Sequence, residues 1–161
     1  MIKMTISQFL QDDYNESSAN KHKIYVFSDE DTYFYIGQSS EIINRINAHL
    51  GYLPRGNQSL LTFLRLNLPE SLEFTLTFMK PDEVDPLYVS EFKMINLGKK
   101  CYTKSDVDFA EAALIGKLKP WLNVLHNPNP ITLPSKYKNP FRIVSEYKLD
   151  NFLDIMDDLF R

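Results

Sequence analysis

Arg45 and His49 stand four residues apart. On a helix that is one turn, so the two side chains reach toward the same side. A guanidinium is a planar fork matched to phosphate oxygens and stays charged at any working pH, which suits it to the charge that builds around a phosphorus centre in a transition state. The imidazole beside it can hydrogen-bond a phosphate oxygen, orient a neighbour such as Tyr25, or move a proton; spacing leaves all three roles open. Further along, Glu111 sits in a run of small and apolar residues, Ala110, Ala112, Ala113 and Leu114, which is compatible with a carboxylate turned toward a cleft. Cys101 is the sole cysteine, which excludes an internal disulfide and a thiolate-rich zinc module. Any metal is then held by oxygen or imidazole.

The elements that must position these groups follow from periodicity and punctuation. Lys23-Ile24-Tyr25-Val26-Phe27 and Thr32-Tyr33-Phe34-Tyr35-Ile36 are β-branched and aromatic, and Ser28-Asp29-Glu30-Asp31 between them supplies turn chemistry, so a hairpin is expected. Gly37 follows at once. Ile42, Ile43, Ile46 and Leu50 recur at helical spacing before Gly51, which predicts a helix over residues 40–50 carrying Arg45 and His49. Leu60, Leu61, Leu64 and Leu68 predict a second helix over 59–68, stopped by Pro69. Residues 72–78 alternate apolar and polar with period two, as a strand buried on one face does. Residues 82–105 are the least readable stretch, with Tyr88, Phe92 and Ile95 compatible with a helix; 106–118 is a clear one, capped by Ser105 and closed by Pro120. The first 22 residues read as a lead segment with a short helix over 7–12. Asn127-Pro128-Asn129-Pro130 reads as an extended tail, and residues 149–160 as an amphipathic helix with an acidic opposite face.

In chain order, then, the sequence shows Lys23-Ile24-Tyr25 on a strand, Tyr35-Ile36-Gly37 ending the next, Arg45 and His49 on the following helix, then Glu111 and Asn123. This constellation resembles the GIY-YIG nuclease family over residues 23–123. The resemblance implies an α+β fold, a small three-stranded antiparallel sheet (23–28, 33–37, 72–79) flanked by helices, with a nuclease domain over 23–126, the lead segment 1–22, and a C-terminal extension 127–161. It also implies an endonuclease with Tyr25, Tyr35, Arg45, His49 and Glu111 as catalytic residues, Glu111 as the ligand of a single Mg2+ or Mn2+, and Gly37 and Asn123 in support; Lys23 is a further supporting candidate as a lysine within reach of a phosphate. Tyr25 matches the tyrosine proposed to take the proton of the attacking water. A phenol with a pKa near 10 needs a shift of roughly three units for that task near neutrality, about 4 kcal/mol of differential stabilisation. Lys23 departs from the family pattern, since it stands where the first glycine belongs.

Composition allows this reading without requiring it. Apolar residues make up 43% and charged residues 24% of the 161-residue chain, the balance of a folded domain. No apolar run is long enough to span a membrane, and a cytoplasmic location with no membrane partner is expected. The net charge of −3 works against binding a polyanion, but no acid lies between Glu41 and Glu70, where Arg45, His49, Arg55 and Arg65 fall, and Lys99, Lys100, Lys104, Lys117 and Lys119 form a second basic group. DNA is the expected partner; RNA offers the same phosphates, and a homodimer is compatible with the chain. The alternative is a non-catalytic module of the same fold that binds nucleic acid or protein.

Overall fold

The computed structural model describes residues 1–96 and 105–141. Lys99, Lys100, Cys101, Lys104 and the C-terminal helix expected over 149–160 lie outside the described residues. Among the described residues there are four strands, β1 (Ile2–Thr5), β2 (Ile24–Ser28), β3 (Tyr33–Gln38) and β4 (Thr75–Met79), and six α-helices, α1 (Ile6–Leu10), α2 (Glu16–Ala19), α3 (Ile42–His49), α4 (Gln58–Leu66), α5 (Pro86–Ile95) and α6 (Asp106–Leu118). No helix among them is long and apolar enough to cross a membrane.

The class is α+β, as expected, but the antiparallel sheet has four strands rather than three, in the order β1-β4-β2-β3. The additional strand comes from the lead segment, where Ile2 pairs with Phe78 and Thr5 with Thr75 along the outer edge of β4. At four residues, with one fully buried side chain, it carries too little alternation to be recognised by pattern, and its partner lies far along the chain. Thr5 then caps α1 in a capping box with Gln8, which sends Ile6 and Phe9 into the core.

Helices cover both faces of the sheet, so every residue of β2 is buried and its side chains serve two cores in alternation. Tyr25 and Phe27 enter a large core with Ile42 and Ile46 of α3 and Leu60 and Phe63 of α4. Ile24 and Val26 enter a smaller one with Ile36 of β3 and Leu114 and Ile115 of α6. A bulge lets β3 serve the first core more fully. Phe27 pairs with Tyr35 and Ser28 with Tyr33, so Phe34 is skipped and turns inward, its ring centroid 4.9 Å from that of Phe63 and 4.7 Å from that of Phe74. Residues 127–141 lie against this core. Tyr137 packs on Phe34, its hydroxyl donates to the Asp29 carboxylate, and Asn67 exchanges two hydrogen bonds with the Lys138 backbone.

Candidate functional site

β3 is an edge strand; of the predicted residues, Tyr35, Glu111 and Asn123 line a cleft along its free side, whereas Tyr25, Gly37, Arg45 and His49 lie beside the cleft and not in its lining. The chain after α6 runs along that side. Trp121 N–H donates to Tyr33 O and Leu122 N–H to Phe34 O, and the Asn123 side chain makes the next pair, accepting from Ile36 N–H at 2.9 Å and donating to Ile36 O at 2.8 Å. Asn123 thus imitates a peptide unit and closes the edge, a structural role that positions the loop beside the site.

Tyr25, the second residue of β2, faces Gly37 across the β2–β3 ladder. A methyl placed on Gly37 would stand 2.9 Å from Cε2 of Tyr25 and closer still to its Cζ and hydroxyl oxygen, so the glycine makes room for the phenol itself. The Tyr25 hydroxyl lies 2.7 Å from Nε2 of His49. On the other side of the imidazole, Asn57 N–H donates to Nδ1 at 3.0 Å. A backbone N–H can only donate, so Nδ1 carries no proton; in the neutral ring Nε2 carries it and donates to the Tyr25 oxygen. Burial, reinforced by the Arg45 cation, lowers the His49 pKa to about 4 and keeps it neutral. With no solvent exposure and both nitrogens engaged, His49 faces no phosphate. Of the three roles open to it, the geometry selects the orientation of Tyr25.

Arg45, one turn earlier on α3, is half-buried and donates from Nη1 to the Arg55 carbonyl at 2.8 Å, tying the 51–57 loop to the helix. Its guanidinium also stands beside the Tyr25 hydroxyl. Burial and the neighbouring Tyr35 push the Tyr25 pKa well above the ordinary phenol value, Glu111 adds to the rise, and Arg45 only partly opposes it. Tyr25 therefore rests protonated. The half-buried Tyr35 ring completes an aromatic group, 6.3 Å from Tyr25 and 5.3 Å from His49 between centroids.

Glu111 approaches from the opposite face of the sheet, on α6. Gln38, the last residue of β3, donates from Nε2 to Asp108 Oδ1 at 2.7 Å and to Glu111 Oε2. Burial and the Asp108 charge raise the Glu111 pKa against the lowering effect of Gln38. Sequence reasoning missed Asp108. The available signal was its position three residues before Glu111, on the same helix face; it reads more readily as a partner of the Ser105 cap, to which it is also bonded. Tyr35, Gln38, Asn57, Asp108, Glu111 and Asn123 line one cleft of about 500 Å3 at the β3 edge. Among the described residues no group of three His, Cys, Asp or Glu side chains stands together for a metal ion. The two neighbouring carboxylates of Asp108 and Glu111 are hard oxygen donors, and they fit a Mg2+ or Mn2+ that takes most of its ligands from water, while Gln38 turns its amide N–H group to both.

Lys23 is not in the cleft lining. Its ammonium donates to the Ser40 and Asn20 carbonyls at 3.0 and 3.4 Å, which ties the start of β2 to the turn before α3. Compared with known proteins, the chain matches no family model, no curated protein and no solved structure.

Proposed function

We propose that this protein is a metal-dependent endonuclease that hydrolyses phosphodiester bonds in DNA. The observation that carries the reading is that an arginine–histidine–tyrosine group on one face of the sheet lies within electrostatic reach of Glu111 on the other, with Tyr35 packed on the first group and lining the cleft that holds the carboxylate pair.

In this reading Arg45 exchanges the Arg55 carbonyl for a non-bridging phosphate oxygen and holds the charge that grows there. Tyr25 is only 1% exposed, so the Arg45 and Tyr35 side chains must shift for a phosphate to reach its hydroxyl. The phenol enters the reaction protonated, with one lone pair occupied by His49 Nε2–H. It takes a proton from an attacking water only as it passes its own to a phosphate oxygen, so it works as a relay and the three-unit fall in pKa required of a free phenolate base is not needed. Asp108 and Glu111 are the residues that would hold the divalent ion, with Gln38 keeping the two carboxylates together. When bound, that ion supplies Lewis-acid charge at the leaving oxygen.

The test is plasmid nicking by the full chain with Mg2+, alongside Mn2+ binding followed by electron paramagnetic resonance. Wild type nicks and binds, Glu111→Gln loses on the order of a hundredfold in nicking together with ion binding, and Tyr25→Phe nicks poorly while still binding the ion. A wild-type protein that cuts neither DNA nor RNA with any divalent ion refutes the enzyme. The net charge of −3 favours a non-catalytic module in that event. A Glu111→Gln variant that binds Mn2+ normally refutes the metal assignment alone.

A further inference from the structure

The cleft has an apolar rim that the chemistry above does not use. Val124 and Leu125 line it together with Glu111, yet they are 88% and 74% exposed. A single exposed aliphatic residue needs no explanation, whereas two in succession on the lip of a polar cleft do. They also stand on a braced support. Asn123 immediately before them is bonded twice to the β3 edge. Asn127 just after them is buried and donates from its side chain to Asn123 O at 2.9 Å and Pro120 O at 2.6 Å, and from its backbone to Val124 O at 3.3 Å. His126 completes the turn in the left-handed region, with φ of +62°. The turn thus fixes the backbone of a two-residue prong while leaving its side chains in solvent.

Charge decides what the prong faces. Asn57 of the cleft lining ends the loop that Arg45 holds through the Arg55 carbonyl, and this stretch, residues 42–69, contains no acid. Val124 and Leu125 line the same cleft as Asp108 and Glu111, so a strand whose phosphate is held at the carboxylate pair would pass beside these aliphatic side chains. Resting on the nuclease reading, we propose that Val124 and Leu125 form an apolar wedge that packs on the nucleoside beside the scissile phosphate and opens that base step of duplex DNA. Aliphatic side chains pressed between bases part the stack and kink the duplex toward the major groove, and the larger protein surface that a bent strand covers offsets the lost stacking.

The experiment begins with the cut sites of the wild-type protein mapped on plasmid DNA. Two duplexes are then made around one mapped site, one fully paired and one with an unpaired bubble at the cleaved step. The full-length Val124→Ser/Leu125→Ser variant is expected to lose on the order of tenfold in single-turnover rate on the paired duplex and to match wild type on the bubble, with thermal melting and Mn2+ binding unchanged. Equal rates for variant and wild type on the paired duplex, or the same loss on both substrates, overturn the wedge. A loss that tracks a change in sedimentation assigns the pair to self-association and overturns it as well. Wild type that leaves the plasmid uncut refutes the nuclease reading, and the wedge falls with its premise.

Discussion

Gly37→Ala tests the geometry on which the site depends. The added methyl would stand 2.9 Å from Cε2 of Tyr25 and nearer to Cζ and the hydroxyl oxygen, well inside ordinary contact. The ring has little room to yield. It is 1% exposed and packed against Phe27, His49 and Tyr35 at centroid distances of 6.2, 5.4 and 6.3 Å. Overpacking of this kind costs about 1–3 kcal/mol, and displacing the phenol from His49 forfeits a buried hydrogen bond worth about 1 kcal/mol more, so a loss of about 2–4 kcal/mol is expected. For a chain of this size that lowers Tm by about 5–15 °C. The assay is denaturant and thermal unfolding of Gly37→Ala in two backgrounds, wild type and Tyr25→Leu. The shorter leucine leaves space for the methyl, and the penalty of Gly37→Ala should fall below about 1 kcal/mol there, a coupling measurable by a double-mutant cycle. A Gly37→Ala protein as stable as wild type, or an equal penalty in both backgrounds, would refute the claim that the glycine exists to admit the tyrosine.

Two further predictions concern the same scaffold. Because the folded-state pKa of His49 is lowered to about 4 from the ordinary 6.5, the unfolded chain binds the extra proton between those values; the His49 contribution, on the order of 3 kcal/mol, is complete above pH 6.5 and is lost as pH falls toward 4. Tm measured from pH 7.5 to 4.5 should drop more steeply for wild type than for His49→Gln, and parallel curves would show that His49 is not buried neutral. Asn123→Ala leaves both the N–H and the carbonyl of Ile36 without their edge partner, which is expected to cost about 1–3 kcal/mol and to raise hydrogen exchange at Ile36 more than at residues in the middle of the sheet; unchanged exchange at Ile36 would mean that the loop does not close the edge.

What the sequence determined by itself was local. The Ile42–Ile46–Leu50 spacing, the Ser105 cap and Pro120, and the paired aromatic runs around Asp29-Glu30-Asp31 were each sufficient to mark a helix or a strand, because their signals repeat within one element. The same locality placed Arg45 and His49 on one helical turn. Tertiary structure decided whatever needs two distant segments. It recruited Ile2–Thr5 as a fourth strand, which four residues cannot announce without the edge they pair with. It turned His49 from a candidate phosphate contact into the fixed support of Tyr25, because the tautomer depends on the Asn57 N–H, which belongs to the N-cap of the next helix. It gave Gly37 its reason in the Tyr25 ring across the ladder, and brought Gln38 from the end of β3 to both Asp108 and Glu111. Residue types set the chemistry that is possible along the chain, but protonation, burial and shared partners are properties of the packed environment, and they appear only when elements far apart in sequence come together.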